Sequence, residues 1–205
     1  MSMDAADHWD RAYREGERTR SWFESEPVGS LRMFQLAGVS PADGVIDAGG
    51  GASTLVDALL ERGFDDVTVL DISATGIQAA QRRLGPSAGR VRWIVADLRD
   101  WRPSRTYQVW HDRAVLHFLT ADADRQSYLD TLTASTAAGA AAILATFAPD
   151  GPRQCSGLPV ARYSAHDLAA LLGDGWAPVV DDREEHVTPA GAVQPFVWAV
   201  FRRTA

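Results

Sequence analysis

From Val45 onward, short apolar runs alternate with longer stretches whose apolar residues recur at helical spacing. Short runs rich in Val, Ile and Trp predict strands, and apolar residues at i, i+3 and i+4 predict helices. The pattern places strands at 44–48, 67–71, 91–95, 107–111 and 141–147, with helices at Ser53–Arg62, Ala74–Leu84 and Arg125–Thr136. Strands that alternate with helices imply a parallel sheet with right-handed crossovers and helices on both faces. After the Pro/Gly-rich stretch Pro149–Pro159 the character changes. A helix at Ala165–Leu172 precedes two apolar runs, Trp176–Val180 and Phe196–Arg202, separated by Thr-Pro-Ala-Gly and no helix. Two strands joined in that way form a hairpin, so the last of the seven strands is expected to run antiparallel to its neighbours.

Residues 1–40 lack strand alternation but carry Trp9, Tyr13, Trp22, Phe23 and Phe34 among charged residues. Trp9 and Tyr13, at i and i+4, share a helix face. The expectation is an N-terminal helical lid over 1–40, including a helix around Leu31–Leu36, on a core at 41–205. A chain of 205 residues suits one domain able to bury a core without disulfides or metal. Its 46% apolar and 23% charged residues are ordinary globular usage. No apolar run approaches the roughly 20 residues of a membrane span. Met1–Asp10 is acidic with no apolar segment of the signal-peptide kind, so the expected compartment is the cytoplasm. Net charge is -7 and all 20 basic residues are scattered arginines, which argues against a nucleic-acid partner. The lone Cys155 excludes an internal disulfide framework, and no His/Cys cluster has metal-ligand spacing. Neither a bridge nor a metal is expected.

Chemistry concentrates after the first strand. Asp47-Ala48-Gly49-Gly50-Gly51 follows Val45 and Ile46, and Asp71 closes the second strand. A strand, a glycine turn, a helix and a second strand ending in a carboxylate is how a parallel sheet holds a nucleoside-like ligand. In Gly49-x-Gly51-x-x-Thr54 the third glycine of the dinucleotide fingerprint is missing, so the helix is expected to stand off slightly and no pyrophosphate need be cradled. Singly these features are weak, since glycine runs often make plain turns and an Asp closing a strand often caps a helix.

Taken together, the segments resemble the class I S-adenosylmethionine-dependent methyltransferases. The match runs from Trp9-Asp10-Arg11-x-Tyr13 to Arg202. More narrowly, His8-Trp9-Asp10, Ser21-Trp22-Phe23, Trp110–Leu119 and Cys155–Tyr163 resemble a bacterial group with HWD..Y, SWF, WHDRAV.HFL and CSGLPV.RY segments. The resemblance implies a Rossmann-like α/β fold, seven strands with a reversed last strand, and S-adenosyl-L-methionine as cofactor. Gly49 and Gly51 would let the methionine part approach backbone, and the following helix N-terminus would offer N–H groups to its carboxylate. Asp47 would meet the ammonium group or the turn amides, Asp71 the ribose hydroxyls, and Asp97 the adenine amino group. Ile72, Leu98 and Trp101 would sandwich the ring. Gly50 stands where the family commonly has cysteine or another small residue, a change that costs nothing sterically and loosens the turn.

Methyl transfer from a sulfonium needs alignment and exclusion of water more than a strong base. His111, Asp112 and Arg113, after the fourth strand, are the catalytic candidates, with His111 also counted among the cofactor contacts. Either His111 and Asp112 line the site while Arg113 binds an acidic acceptor or holds Asp112, or one of the pair caps the next helix and His117 packs under the sheet. Cys155, Ser156, Arg162 and Tyr163 offer an acceptor loop polar reach, unless Cys155 is a small buried hydrophobe in a plain turn. Trp9, Tyr13 and Trp22 either close over the cofactor or glue the N-terminal helix to the sheet. His186 and Gln194 are expected at the surface beside the last hairpin. The acceptor is expected to be a small molecule, with protein lysine methylation the second reading and a repurposed cofactor-binding pocket the third. The oligomeric state is left open.

Overall fold

A computed structural model describes residues 3–204. One sheet of seven strands runs in the order β3-β2-β1-β4-β5-β9-β8. Its parallel half holds β1 (Val45–Ala48), β2 (Val67–Asp71), β3 (Val91–Val95), β4 (Tyr107–Arg113) and β5 (Thr136–Phe147). β9 (Val193–Arg203) is antiparallel to β5 on one side and to β8 (Trp176–Val187) on the other, which is the reversed last strand the pattern predicts. Every residue of β1 and β2 is buried, as expected of central strands covered on both faces.

Side chains alternate along each strand, so the sheet separates two cores. Val45, Val109, Ile143 and Trp198 point toward α2 (Val28–Leu36) and α3 (Leu55–Glu61), where Met33, Phe34 and Leu59 meet them. Ile46, Trp110, Leu144 and Phe201 point toward α5 (Asp122–Ser135) and α6 (Ala165–Leu172), against Tyr128, Leu132 and Leu168. α4 (Ala74–Leu84) is capped by Ser73, whose hydroxyl accepts from the Gly76 amide at 3.0 Å. α6 opens on a capping box of Ser164 and Asp167. Ahead of all these lies α1 (Met3–Arg14).

Several boundaries differ from the pattern reading. β4 continues two residues past His111 to Arg113, and β5 begins at Thr136, which pairs with Tyr107 before an irregularity that ends at Ala141. α5 starts at Asp122, with Asp122 and Asp124 in the first turn where acidic groups suit the helix dipole. β8 includes the charged run Asp181–Glu185, because an edge strand can leave polar side chains in water. A further two-stranded hairpin, β6 (Gln154–Cys155) with β7 (Leu158–Pro159), lies inside the Pro/Gly-rich stretch read as loop. No helix among the described residues is long and apolar enough to cross a membrane.

Candidate active site

The turn after β1 is built for close approach. Gly49 has φ +76° and Gly51 φ +44°, where side chains are strained, and a Cβ at either would run into Val115 or the Tyr13 hydroxyl. The Gly49 amide donates to the Leu70 carbonyl at 2.6 Å, which ties the turn to β2. A Cβ on Gly50 would strike the free carboxylate oxygen of Asp47, so the missing side chain leaves that oxygen its room. The helix amides after the turn are partly spent: Ser53 donates to Gly50 at 2.7 Å, and Leu55 to the Ser53 hydroxyl at 3.1 Å. Thr54, standing in place of the third glycine, donates to the Glu24 carbonyl at 3.2 Å.

Asp71 ends β2 with its carboxylate accepting from the Ser73 amide at 2.7 Å. Burial raises its pKa to about 7, and the neighbouring charges of Asp47 and Asp10 push the same way against the Ser73 and Gly51 amides. Asp97 lies past β3. Burial would raise its carboxyl, but hydrogen bonds from the Arg99 guanidinium at 2.6 Å and the Arg99 amide at 3.0 Å hold it below the usual range. Arg99 also reaches Asp124 at 2.9 Å and is missing from the sequence-based candidates, since nothing there marks it apart from nineteen other arginines. Leu70, Asp71, Ile72, Asp97, Leu98 and Arg99 line one side of a cavity of ≈ 240 Å³. Trp101 is not among its lining residues and packs instead against the α5 core.

Strand parity divides the candidates on β4. His111 and Arg113 share the face of Val109, while Asp112 shares the face of Trp110. Asp112 is fully buried, accepts from the Val115 amide at 2.8 Å and the Leu116 amide at 3.1 Å, and meets the Tyr128 hydroxyl. It lines neither this cavity nor the adjoining one. The expectation that it faces the acceptor is corrected to a turn-capping role, and burial lifts its pKa to about 6. His111 is 2% exposed, with Nδ1 at 2.7 Å from Asp47 and Nε2 at 3.0 Å from the Ser30 hydroxyl. It lines the adjoining ≈ 60 Å³ cavity together with Asp47, Gly49, Gly50, Glu24 and Arg113. Arg113 borders both cavities and donates to the Trp22 carbonyl at 3.0 Å and to Glu24 at 2.8 Å.

The N-terminal segment lines the larger cavity and packs on α4 and the glycine turn. Asp10 accepts from the Ser73 hydroxyl at 2.5 Å and the Thr75 amide at 3.0 Å, adding a second cap to α4. Tyr13 packs over Gly51 and Gly76, whose bare backbones make its seat. Trp9 meets Trp22 and Phe118 edge-on, at 5.7 and 4.9 Å between ring centroids, and all three border the larger cavity. His186, expected at the surface, is 5% exposed. It sits 2.6 Å from the Ser21 carbonyl and 3.6 Å from Glu24, because β8 runs past the apolar segment seen in sequence and delivers it against the N-terminal segment. Glu24, Glu184 and His186 bring possible ligand atoms within 4.8 Å of one another, a grouping that chain spacing did not show. Glu24 is already held by Arg113, and Glu184 accepts from the Trp198 indole at 2.5 Å, so this cluster is engaged by internal donors.

The opposite wall is the β6–β7 hairpin. Ser156 (φ +52°) and Gly157 (φ +77°) form a two-residue turn of the primed kind, which sets Cys155 and Leu158 side by side into the larger cavity. Arg162 braces the loop at the Pro149 carbonyl at 2.6 Å, and Ser156 and Arg162 are not cavity-lining. His117 lies beneath, fully buried between Phe118 and Phe147, with no partner for either ring nitrogen among the described residues. Burial lowers its pKa to about 3. A histidine depressed in the folded state gives stability that is present above the unfolded value near 6.5 and is lost as pH falls toward 3. His117→Phe should therefore raise stability by about 1–3 kcal/mol and flatten its decline below pH 6.5, as urea titrations at several pH values would show. A loss of stability instead would mean the ring nitrogens are satisfied.

Glycines that admit backbone approach, a buried Asp47 oxygen with no partner among the described residues, and the Asp71 carboxylate at a strand end fit a nucleoside that carries an ammonium-bearing arm. The strand order with a reversed β9 is a Rossmann-like α/β fold, and the candidate site lies at the carboxyl ends of β1, β2 and β3. Comparison with known proteins agrees. Residues 45–139 match the family described as methyltransferase domain. The chain is thus similar to methyltransferases in sequence over nearly half its length, and in fold to S-adenosylmethionine-dependent methyltransferases over almost all of it. Its fold is shared with a solved 1,6-didemethyltoxoflavin-N1-methyltransferase from Burkholderia thailandensis, at 21% identity and TM-score 0.75 over 98% of this chain and 89% of that one. It is shared also with an S-adenosylmethionine-dependent methyltransferase from Anabaena variabilis, at 16% identity and TM-score 0.77 over 98% and 96%. A curated relative, the eEF1A lysine and N-terminal methyltransferase of Bos taurus, is 23% identical over 127 residues, 60% of this chain. The chain spans 18% of that relative's length.

Proposed function

We propose that this protein, as one cytoplasmic domain, transfers a methyl group from S-adenosylmethionine to a small-molecule acceptor. One observation carries the reading: a ≈ 240 Å³ cavity has Asp71, Ile72, Asp97 and Leu98 on one side and Trp9, Trp22, Phe118 and Leu158 on the other. The first group would hold ribose and adenine, with Arg99 steadying Asp97, and Asp47 in the adjoining cavity would hold the ammonium. When bound, the donor supplies a methyl group on a sulfonium, already activated for in-line displacement. The aromatic wall excludes water and aligns the acceptor, and the Cys155–Leu158 hairpin shapes its bed. Arg113 lies on the boundary between the two cavities, where a cation suits a neutral or anionic acceptor better than a lysine ammonium. The likeness to the Bos taurus enzyme keeps a lysine acceptor as the second reading.

Screening pools of low-molecular-weight thiols, carboxylates, phenols and amines with methyl-labelled donor tests this. Label in small products supports it, whereas label recovered only in protein overturns the acceptor class. Leu158→Ala should lower kcat/KM for the acceptor by about tenfold and leave donor affinity unchanged, since the removed atoms face only the acceptor side. Equal losses of both would remove the hairpin from the acceptor wall.

A further inference from the structure

Resting on the methyl-donor reading, we infer that His111 is a positioning residue for the amino-acid arm of the donor: it holds Asp47 so that one carboxylate oxygen is kept free for the ammonium. Asp47 and His111 are paired residues on adjacent parallel strands, so their side chains leave the same face of the sheet side by side. His111 Nδ1 stands 2.7 Å from Asp47 Oδ1, while the buried Asp47 Oδ2 has no partner among the described residues. An acceptor oxygen at Nδ1 assigns the ring proton to that nitrogen. Nε2 lies 3.0 Å from the Ser30 hydroxyl on α2, which holds the other edge of the ring.

The ring has little freedom beyond this. Phe34 lies at 5.7 Å and Trp198 at 6.2 Å between centroids, on either of the elements that pack against it. The imidazole therefore cannot swing toward the acceptor wall, and it lines only the smaller cavity. Gly50 completes the device, because any side chain there would occupy the position of Asp47 Oδ2. A buried carboxylate oxygen left without a donor is costly, and such cost is retained where a ligand removes it. A cationic group entering the smaller cavity is the ligand that would do so. His111 thus fixes the Asp47 carboxylate through Oδ1 and leaves Oδ2 to the ligand.

The test compares two ligands by calorimetry. S-adenosylhomocysteine has the amino-acid arm, and 5′-methylthioadenosine carries the same nucleoside without it. His111→Leu should weaken S-adenosylhomocysteine by about tenfold or more and 5′-methylthioadenosine by less than about threefold. His111→Asn, which can still present an N–H near the Nδ1 position, should restore most of the lost affinity. Ser30→Ala should show the same selectivity with a smaller loss, and it reports on the relay even if His111→Leu fails to fold. Equal weakening of both ligands, or no weakening of either, overturns the inference. Failure of the unmutated protein to bind either ligand would instead overturn the methyl-donor reading beneath it.

Discussion

Asp71→Asn should weaken S-adenosylhomocysteine binding by about thirtyfold, near 2 kcal/mol, and at the same time raise the melting temperature of the ligand-free protein at pH 8. Both effects come from one buried carboxyl. In the ligand-free protein burial lifts its pKa to about 7, with Asp47 and Asp10 adding repulsion. An acid whose folded pKa lies above its ordinary 3.8 has full stability below that value and loses it as pH rises toward 7, because the unfolded chain ionises first. Above pH 7 the folded state carries a buried charge that a neutral amide in its place would not. Binding has the opposite sign. A ribose diol donates to the ionised carboxylate, so donor affinity of the native protein should fall about tenfold per pH unit below 7, with proton release on binding near neutrality. Calorimetry at pH 6, 7 and 8 in buffers of different ionisation enthalpy measures both. A native affinity that is flat across this range, or a variant that binds as tightly, would remove Asp71 from the ribose contact.

The same strand ends explain what is legible in the sequence. β2, β3, α4 and α6 have the bounds predicted from apolar spacing, because buried parallel strands and amphipathic helices write their periods directly. Asp71 and Asp97 stand out as carboxylates at strand ends, and the cavity between them follows from the parallel topology. The placement of Asp112 fails because the apolar pattern ends the strand at His111. With β4 extended to Arg113, alternation sends neighbouring residues to opposite faces, and the two could never have lined one cavity. His186 escapes the pattern because Asp181–Glu185 looks like a turn when it is an edge strand with one wet face. The N-terminal motif is legible as an aromatic cluster. That Asp10 caps α4, and that Tyr13 sits on Gly51 and Gly76, depends on pairings more than 35 residues apart, which no local period reports.

Those long pairings make the attachment of the N-terminal segment the place where a single substitution should cost most. Arg113 and Glu24 are 12% and 14% exposed, joined at 2.8 Å, with His186 at 3.6 Å from the same carboxylate. Arg113 also donates to the Trp22 carbonyl and lies over the Phe196 ring at 5.1 Å, so it links the N-terminal segment to β4 and β9. Burial alone would raise the Glu24 carboxyl, but the His186 hydrogen bond and the Arg113 charge outweigh it and hold it below its ordinary 4.5. An acid depressed in the folded state lends stability that is present above that value and is lost as pH falls through the lower, folded one. Arg113→Met keeps much of the stem packing but leaves the nearly buried Glu24 charge with only His186 beside it, which should cost about 3 kcal/mol. Glu24→Gln alone leaves the guanidinium facing a neutral amide and should cost less. The double variant should recover most of the Arg113→Met loss, because the stranded charge is gone. Urea midpoints for the four proteins at pH 7 close the cycle. A coupling near zero would mean that packing of Trp22 against Trp9, and not the ion pair, is what holds the N-terminal segment in place.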